Sequence, residues 1–295
     1  MVHPVEFNNN EKLPLDPYLL GVLLGDGNIS GKGIIFTCAE ADLLNKVSQR
    51  LVQYNCQLKY KAQYDYMICG QKGYGYHHIQ DRIGAAITML GLRGTTSHTK
   101  FIPTQYLYAS VNDRLELLRG LIDTDGYCDK SGYDIALASK QLIIDIQWLC
   151  ESLGFTATYS EKHATCNGKD CGLVYRLRIK TSEQFVKIHT TQGKEKHYRL
   201  GQSSARRTIR EVIPTSEYAE MTCIAIDSPD HLFVTEHCIL THNTTVLISA
   251  ICAYKYNNIN AHCCAITFTR AARAEMEVRL QQLGVYDVEV ATIHA

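Results

Sequence analysis

Two stretches of the chain carry apolar residues at the spacing of an amphipathic helix. Each stretch follows a short extended segment, and each precedes a segment in which apolar and polar residues alternate. Alternation places successive side chains on opposite faces of a strand. The pattern therefore predicts extended, helical and strand elements in the same order twice, with helical positions at Leu43, Leu44, Val47 and Leu51, then at Leu142, Ile143, Ile146, Leu149 and Leu153.

The two alternating segments expose basic residues. In the first, apolar positions from Leu58 to Tyr64 alternate with polar positions from Lys59 to Asp65, among them Lys61. In the second, apolar positions from Leu173 to Ile179 lie on one face, and the opposite face carries Arg176, Arg178 and Lys180. Such a row suits a β-ribbon laid along DNA. A solvated strand face explains a single strand equally well, but two corresponding strands favour DNA binding.

A nine-residue motif is also duplicated. Residues 19–27 read LLGVLLGDG and residues 118–126 read LRGLIDTDG, an offset of 99 residues. At the same offset, Phe36 corresponds to Ile135, and later apolar positions continue the match. One supersecondary unit therefore occurs twice, which predicts a body with pseudo-two-fold symmetry.

Each motif predicts a helix that ends on an acid. Gly21 and Gly120 open a stripe of small residues through which two helix backbones approach closely. Glycines at 27 and 126 are expected to end the helices in the left-handed conformation, which leaves Asp26 and Asp125 in the last turns. Carboxylates are unfavourable at the negative end of a helix dipole, and these two also repel each other. A shared divalent cation resolves the conflict, so the pair predicts a Mg²⁺ site for phosphodiester hydrolysis.

These motifs resemble those of the LAGLIDADG homing endonucleases, in the single-chain form with two motifs, over roughly residues 14–200. The resemblance implies an α+β fold of two αββαββα-like repeats with saddle-shaped sheets, and Mg²⁺-dependent cleavage of double-stranded DNA. It makes Asp26 and Asp125 the metal ligands, with the preceding Gly25 and Thr124 in the metal site. Lys100, in the block before the second motif, is then the candidate for polarising the attacking water or the phosphate. Asp123 has no counterpart in the first motif and receives no role.

Composition excludes some classes of protein. The 30 Lys and Arg balance the 30 Asp and Glu, yet residues 155–210 carry a local excess of eight positive charges. Such an excess is typical of a phosphate-binding surface or of a solvated surface, and composition alone does not choose between them. No apolar run is long enough to cross a bilayer, and the first residues do not read as a signal peptide. We therefore expect an intracellular, cytoplasmic protein without a membrane partner, whose 12 cysteines are reduced thiols.

The segment that follows the basic region resembles the C-terminal splicing blocks of inteins, which form part of an all-β Hint domain. An Asn side chain can attack its own carbonyl, and this cyclisation would cleave the Asn243–Thr244 bond. His242 would assist by proton donation, and Thr244 would receive the upstream acyl chain. By the resemblance, His231 aids the cleavage. Cys223 lies where many inteins carry Asp, and the pattern resembles class three inteins, in which this cysteine is a nucleophile; a buried apolar thiol is the alternative.

Residues 244–295 resemble the start of a UvrD/Rep-type helicase, with a helix, strand, helix and strand of a P-loop α/β fold. The glycines and lysine that cradle phosphate are absent, so we expect no ATPase activity. The predicted domains are a remnant linker (1–17), the endonuclease (18–202, repeats about 18–110 and 117–202), the splicing segment (203–243) and the helicase C-extein (244–295). We expect the N-terminal intein and helicase half to be encoded elsewhere or lost.

Two alternatives stay open: a catalytically dead LAGLIDADG module that only binds DNA, and a truncated ATP-dependent helicase.

Overall fold

The computed structural model describes residues 4–7, 9, 11–70, 81–129, 132–166, 169–180, 211, 213, 233–241, 243–267 and 270–292. The chain divides into two compact units, Met1–Ala205 and Arg206–Ala295. Across the described ranges, no helix has the length and apolar character needed to span a membrane.

The first unit contains two copies of one arrangement of helices and strands. The first copy comprises α1 (Pro17–Asp26), β1 (Gly27–Asn28), β2 (Ile34–Thr37), α2 (Ala41–Leu51), β3 (Cys56–Ala62), β4 (Asp65–Gly70) and α3 (Asp81–Met89). After the short helix α4 (Thr104–Leu107), the second copy comprises α5 (Val111–Asp125), β5 (Gly126–Asp129), β6 (Gly132–Leu137), α6 (Lys140–Ser152), β7 (Thr156–Cys166) and β8 (Lys169–Lys180). The sheets have the orders β1-β2-β4-β3 and β5-β6-β8-β7.

Strand pairing confirms the duplication. Gly27 pairs with Phe36 between β1 and β2, and Gly126 pairs with Ile135 between β5 and β6, each partner displaced by the same offset. Both predicted helices form as α2 and α6, with their apolar positions in one core. The predicted start of the second repeat at 117 falls inside α5, which begins at Val111. The α+β repeats expected from the sequence are therefore present.

Helices α1 and α5 have defined starts. Asp16 caps α1 by accepting a hydrogen bond from the Leu19 amide at 3.0 Å, and Pro17 occupies the first turn. Ser110 caps α5 in the same way, accepting from the Asp113 amide. Both helices end on the acid of their motif, as the sequence predicts.

The conformation expected for the glycines after these acids is wrong. Gly27 has φ −84° and ψ 133°, and Gly126 has φ −81° and ψ 147°, so both are extended rather than left-handed. The chain passes directly from each helix into a strand, which needs no left-handed cap. Glycine is still required, because an added Cβ would lie 2.5 Å from the carbonyl oxygen of Leu23 or of Ile122.

The predicted small-residue stripe brings α1 and α5 into backbone contact. A Cβ on Gly21 would lie 2.2 Å from the Leu117 carbonyl oxygen, and one on Gly120 would lie 2.3 Å from the Tyr18 carbonyl oxygen. Real Cβ atoms do not approach other atoms so closely, so only glycine permits the two helices to lie this close together. The two helix ends are thereby held side by side.

Each sheet has one face on the helices and one outer face. In the second sheet, Ile135, Leu177 and Ile179 are buried in the core, whereas residues that alternate with them point outward. The alternation predicted to continue to Asp65 stops earlier, because β3 ends at Ala62 and Gln63 adopts φ 46° in the hairpin turn. Lys59 and Lys61 remain within the strand, with a register shift between Tyr60 and Ala62.

Residues near the N-terminus pack on the second repeat. Phe7 stacks on Trp148 at 5.8 Å between ring centroids and contacts Tyr108 edge-on at 5.1 Å. The fully buried Arg114 donates hydrogen bonds to the carbonyls of Ala109 and Val5, and its guanidinium lies over the Phe7 ring. These contacts place part of the segment predicted as a linker on the body of the first unit.

The second unit begins, within the described residues, with a small antiparallel pair, β9 (Phe233–Val234) and β10 (Leu240–Thr241). It continues with α7 (Asn243–Asn257), β11 (Cys263–Thr267), α8 (Arg270–Gln282) and β12 (Val288–Thr292). Strands β11 and β12 are parallel, and a core of its own includes Ile248, Met276 and Leu280. The helix, strand, helix and strand expected after Asn243 are therefore present.

Candidate functional site

The carboxylates of Asp26 and Asp125 lie at the paired ends of α1 and α5, where both are half-buried. A Cβ built on Gly25 would lie 2.9 Å from Asp125 Oδ2 and 2.0 Å from Thr124 Oγ1, so the second acid lies directly against the end of the first helix. Both carboxylates also act electrostatically on one buried lysine, Lys100. The structure thus brings the two predicted acids to one place.

Lys100 reaches the end of α1 from the segment before α4. Four carbonyl oxygens lie 2.7 to 3.0 Å from its Nζ and share its three N–H donors, and the side chain is 5% exposed. Carbonyls in the last turn of a helix have no partner within the helix, so the ammonium satisfies them and offsets the negative end of the dipole. The acceptors belong to Leu23, Leu24, Gly25 and Gly27.

Burial sets the proton affinity of this lysine. Desolvation lowers the pKa of Lys100 to about 8, although the charges of Asp125 and Asp26 oppose the shift. The buried ammonium therefore lies within the electrostatic reach of both acids. This is a position from which an ammonium can influence a nearby phosphate or water.

The other two residues predicted for the metal site contact protein groups. The Gly25 carbonyl accepts from Lys100 at 2.9 Å. The Thr124 hydroxyl donates to the carbonyls of Gly120 and Leu121, both at 3.0 Å. Within the described residues, no group of three or more His, Cys, Asp or Glu could hold a metal ion. The metal-ligand roles of Asp26 and Asp125 stay predictions.

Asp123 lies in a buried polar cluster between the repeats, which sequence reasoning did not predict. It is 2% exposed; the Tyr18 hydroxyl donates to its Oδ2 at 2.6 Å, and Lys46 Nζ donates to the same oxygen at 3.0 Å. Lys46 also lies 4.0 Å from the centre of the Tyr18 ring. Burial, followed by Asp123, raises the pKa of Tyr18 well above its usual value. In the sequence, the only indication of this cluster is a single acid, Asp123, among the apolar residues of α5.

The outer face of the second sheet carries the three basic residues predicted for DNA binding. Arg176 and Lys180 are exposed on β8, and Arg178 is partly exposed between them. Asp134 on β6 pairs with both arginines: its Oδ1 lies 2.7 Å from Arg176 Nε, and its Oδ2 contacts Arg178 Nη1. Asp134 was not predicted from the sequence, although it alternates with the apolar residues Tyr133, Ile135 and Leu137.

The first sheet presents a different outer surface. Lys59 is exposed on β3 opposite Met67 of β4, and Lys61 is exposed near the hairpin turn. Thr37 donates to Asp65 at 2.7 Å on the same face. The two outer faces therefore share basic residues, but only the second carries arginines paired with an acid among the residues described.

Most of the predicted splicing residues lie outside the described residues: Cys223, His231 and His242. Asn243 begins helix α7 immediately after β10 and residue 242, and Thr244 is partly buried in the first turn of that helix. The roles predicted for all five stay predictions.

Comparison with known proteins adds two findings from sequence. Residues 112–193 match the family model described as LAGLIDADG-like domain, which includes the second motif and β5 to β8. The replicative DNA helicase DnaB of Mycobacterium intracellulare is 26% identical over 234 residues, which is 78% of this chain. The chain spans 35%, about a third, of the length of that helicase. The second repeat is therefore similar to LAGLIDADG-like domains, and the UvrD/Rep-type assignment stays a prediction.

Solved structures of the homing endonuclease I-DmoI are similar to part of the chain. One, in complex with DNA and Ca, is 15% identical, with coverage of 64% of this chain and 94% of the other and a TM-score of 0.36. Another, of mesophilic variants, is 17% identical, with coverage of 56% and 88% and a TM-score of 0.36. Likeness at this level does not carry function from one protein to the other.

Proposed function

We propose that the first unit is a site-specific endonuclease that hydrolyses phosphodiester bonds of double-stranded DNA with a divalent cation, Mg²⁺. The observation that carries this proposal is the meeting of Asp26, Asp125 and Lys100 at two helix ends packed backbone to backbone. Two acids at negative helix ends are unfavourable unless a cation offsets them. The LAGLIDADG-like match over the second repeat supports the same activity.

The donor set fits a hard cation. Asp26 and Asp125 offer carboxylate oxygens, the ligands that Mg²⁺ prefers, and leave room for water and phosphate oxygens as further ligands. A bound divalent cation supplies Lewis-acid polarisation of the phosphate and lowers the pKa of a bound water. Lys100 holds the end of α1 through its carbonyl contacts and is the proposed group for polarising the attacking water or the phosphate.

Basic residues on both outer sheet faces are the proposed DNA contacts. Lys59, Lys61 and Lys180 would neutralise phosphates, a contribution that falls with added salt. Arg176 and Arg178 can reach base edges as well, because a guanidinium recognises planar acceptors. Since these residues lie on both sheets, the proposed target is a long site contacted by both repeats.

Cleavage of a plasmid that carries an uninterrupted helicase gene tests the nuclease proposal. We expect double-strand cuts that require Mg²⁺ and are lost in Asp26→Asn and in Asp125→Asn. Asp42→Asn, which changes an exposed acid in the first turn of α2, is the matched control and should cut normally. Binding of the plasmid without cleavage by the unmodified chain would instead support the DNA-binding module that has lost catalysis.

We propose a second function, C-terminal protein splicing, on a separate observation. The second unit, Arg206–Ala295, is too short to account for a match of 234 residues to a helicase, so the match must include residues from the first unit. A shared insertion in a helicase accounts for it. The proposed chemistry is cyclisation of Asn243, assisted by His242 and His231, with Thr244 and Cys223 as nucleophiles.

Co-expression with a candidate upstream half tests the splicing proposal by mass spectrometry. Asn243→Ala should prevent release of the segment after residue 243, and Asn257→Ala, at the far end of α7, should not. Cys223→Ala should block the branched ester while still permitting Asn243 cyclisation. Release of the downstream segment from Asn243→Ala at the normal rate would refute the proposal.

A further inference from the structure

Asp134 on β6 pairs with both arginines of the neighbouring strand β8 on the outer face of the second sheet. Asp134 stands directly opposite Arg178 in the β6–β8 register, and Arg176 stands opposite Ala136, the next outward position. Each carboxylate oxygen of Asp134 accepts a hydrogen bond from one arginine: Oδ1 accepts from Arg176 and Oδ2 accepts from Arg178. One acid therefore fixes two guanidinium groups on neighbouring positions of one strand.

An acid at this place is unfavourable for simple electrostatic binding of DNA. It cancels a positive charge on the face proposed to meet phosphates, and it is largely buried, with 13% of its side chain exposed. Burial alone would raise the pKa of Asp134, but hydrogen bonds from Arg176 and Arg178 and their charges lower it below its usual value. The carboxylate of Asp134 therefore stays charged. Its role must then come from its hydrogen bonds with Arg176 and Arg178.

Holding an arginine changes what it can recognise. A free arginine side chain loses rotamer entropy when it is ordered on binding, and a side chain already ordered in the protein does not lose it again. Because the five N–H donors of a guanidinium lie in one plane, fixing that plane fixes the direction of every donor. Fixed donors suit the O6 and N7 acceptors of guanine, whose geometry is strict.

The lysines show the opposite arrangement. Lys59 and Lys180 form no ion pair with any residue that the structure describes, and both side chains are exposed. A mobile ammonium suits phosphates, which need charge rather than a fixed plane. The face thus combines unrestrained lysines with restrained arginines.

We propose that Asp134 is a positioning residue that sets sequence specificity, by orienting Arg176 and Arg178 for guanine in the half-site under the second sheet. The proposal rests on the proposed DNA-binding function. It assigns recognition of bases to the arginines and contact with phosphates to the lysines.

Selection from a pool of randomised duplexes, with the catalytic Asp125→Asn background to prevent cutting, tests this proposal. The unmodified face should enrich guanine at positions in one half-site. Asp134→Asn should reduce guanine discrimination there by roughly five- to 150-fold per position, which corresponds to about 1–3 kcal/mol for a bidentate pair. Affinity for non-specific duplex should rise about two- to fivefold, because one negative charge is removed. Asp134→Glu should restore part of the discrimination.

Asp65→Asn is the matched control, because it removes an acid from the outer face of the first sheet, where Thr37 is its hydrogen-bond partner. It should raise non-specific affinity similarly and leave the guanine preference intact. Arg176→Lys and Arg178→Lys, which keep charge but lose the planar donors, should lose the preference. Retention of the preference in both would overturn the inference even if Asp134→Asn does not fold.

The outcomes separate the two proposals. Enrichment by the unmodified face together with equal enrichment by Asp134→Asn overturns the role of Asp134 and leaves DNA binding standing. Failure of the unmodified face to bind any duplex at low salt overturns the proposed function and this inference with it. A loss of both specific and non-specific affinity in Asp134→Asn would show a structural role and would also overturn the inference.

Discussion

Gly120→Ala should separate the two helices that hold the acids. The new Cβ would lie 2.3 Å from the Tyr18 carbonyl oxygen, 2.8 Å from the Val22 nitrogen and 3.0 Å from Gly21 Cα. All three atoms belong to backbone inside a helix, so none can rotate away. To relieve these contacts, the two helices must move apart by about 1 Å.

The energetic cost follows from that displacement. Overpacking of a rigid contact costs up to about 3 kcal/mol, and alanine returns about 1 kcal/mol through its higher helix propensity. We therefore expect a net loss of about 2 kcal/mol in the free energy of unfolding. Displacement of catalytic groups by about 1 Å costs on the order of a hundredfold in rate, so DNA cleavage should fall by about that factor.

The chain provides its own reporter for this measurement. Trp148 is the single tryptophan and lies in the first unit, where it packs against Phe7 and Tyr108. Its fluorescence during urea denaturation therefore follows that unit alone. Gly31→Ala is the matched control, since an added Cβ there would have no atom closer than 4.0 Å. Equal stability and cleavage in Gly120→Ala and the unmodified chain would refute the backbone-contact reasoning.

Two further predictions concern buried charges. Asp123→Ala leaves the Tyr18 hydroxyl and the Lys46 ammonium without their shared acceptor, and should lower the free energy of unfolding by about 1–3 kcal/mol in the same Trp148 assay; an unchanged value would contradict the cluster. Burial lowers the pKa of Lys100 to about 8, whereas it is about 10.4 in an unfolded chain. Between these two pH values the unfolded chain binds more protons, so the free energy of unfolding should rise with pH across the window. The contribution of Lys100 is lost again as pH falls to about 8. Measured as a difference from Lys100→Met, the rise should reach about 3 kcal/mol, and a flat difference would contradict the assigned burial.

Local sequence patterns predicted the features that depend on local spacing. The small residues Gly21 and Gly120 predicted the close helix pair because the same small-residue spacing is repeated in both motifs. The apolar periodicity predicted α2 and α6 because it depends on the geometry of a single helix. The offset of 99 residues predicted the repeated strand register that Gly27 and Gly126 begin.

Features that depend on distant partners were not predictable in this way. Asp123 meets Tyr18 and Asp134 meets Arg178 only after the chain has folded, and neither pairing leaves a periodic trace in the sequence. The extended glycines were missed because a left-handed cap is the usual end of a helix, whereas here the helix runs directly into a strand. The end of β3 at Ala62 depends on a hairpin turn that alternation alone does not reveal.

Calorimetric titration of Mn²⁺ or Mg²⁺ into the protein measures most directly whether Asp26 and Asp125 share one cation. The account predicts a site that is lost in Asp26→Asn and equally lost in Asp125→Asn, and that persists in Asp42→Asn. Retention of full binding in either single variant of the pair would contradict a shared ion.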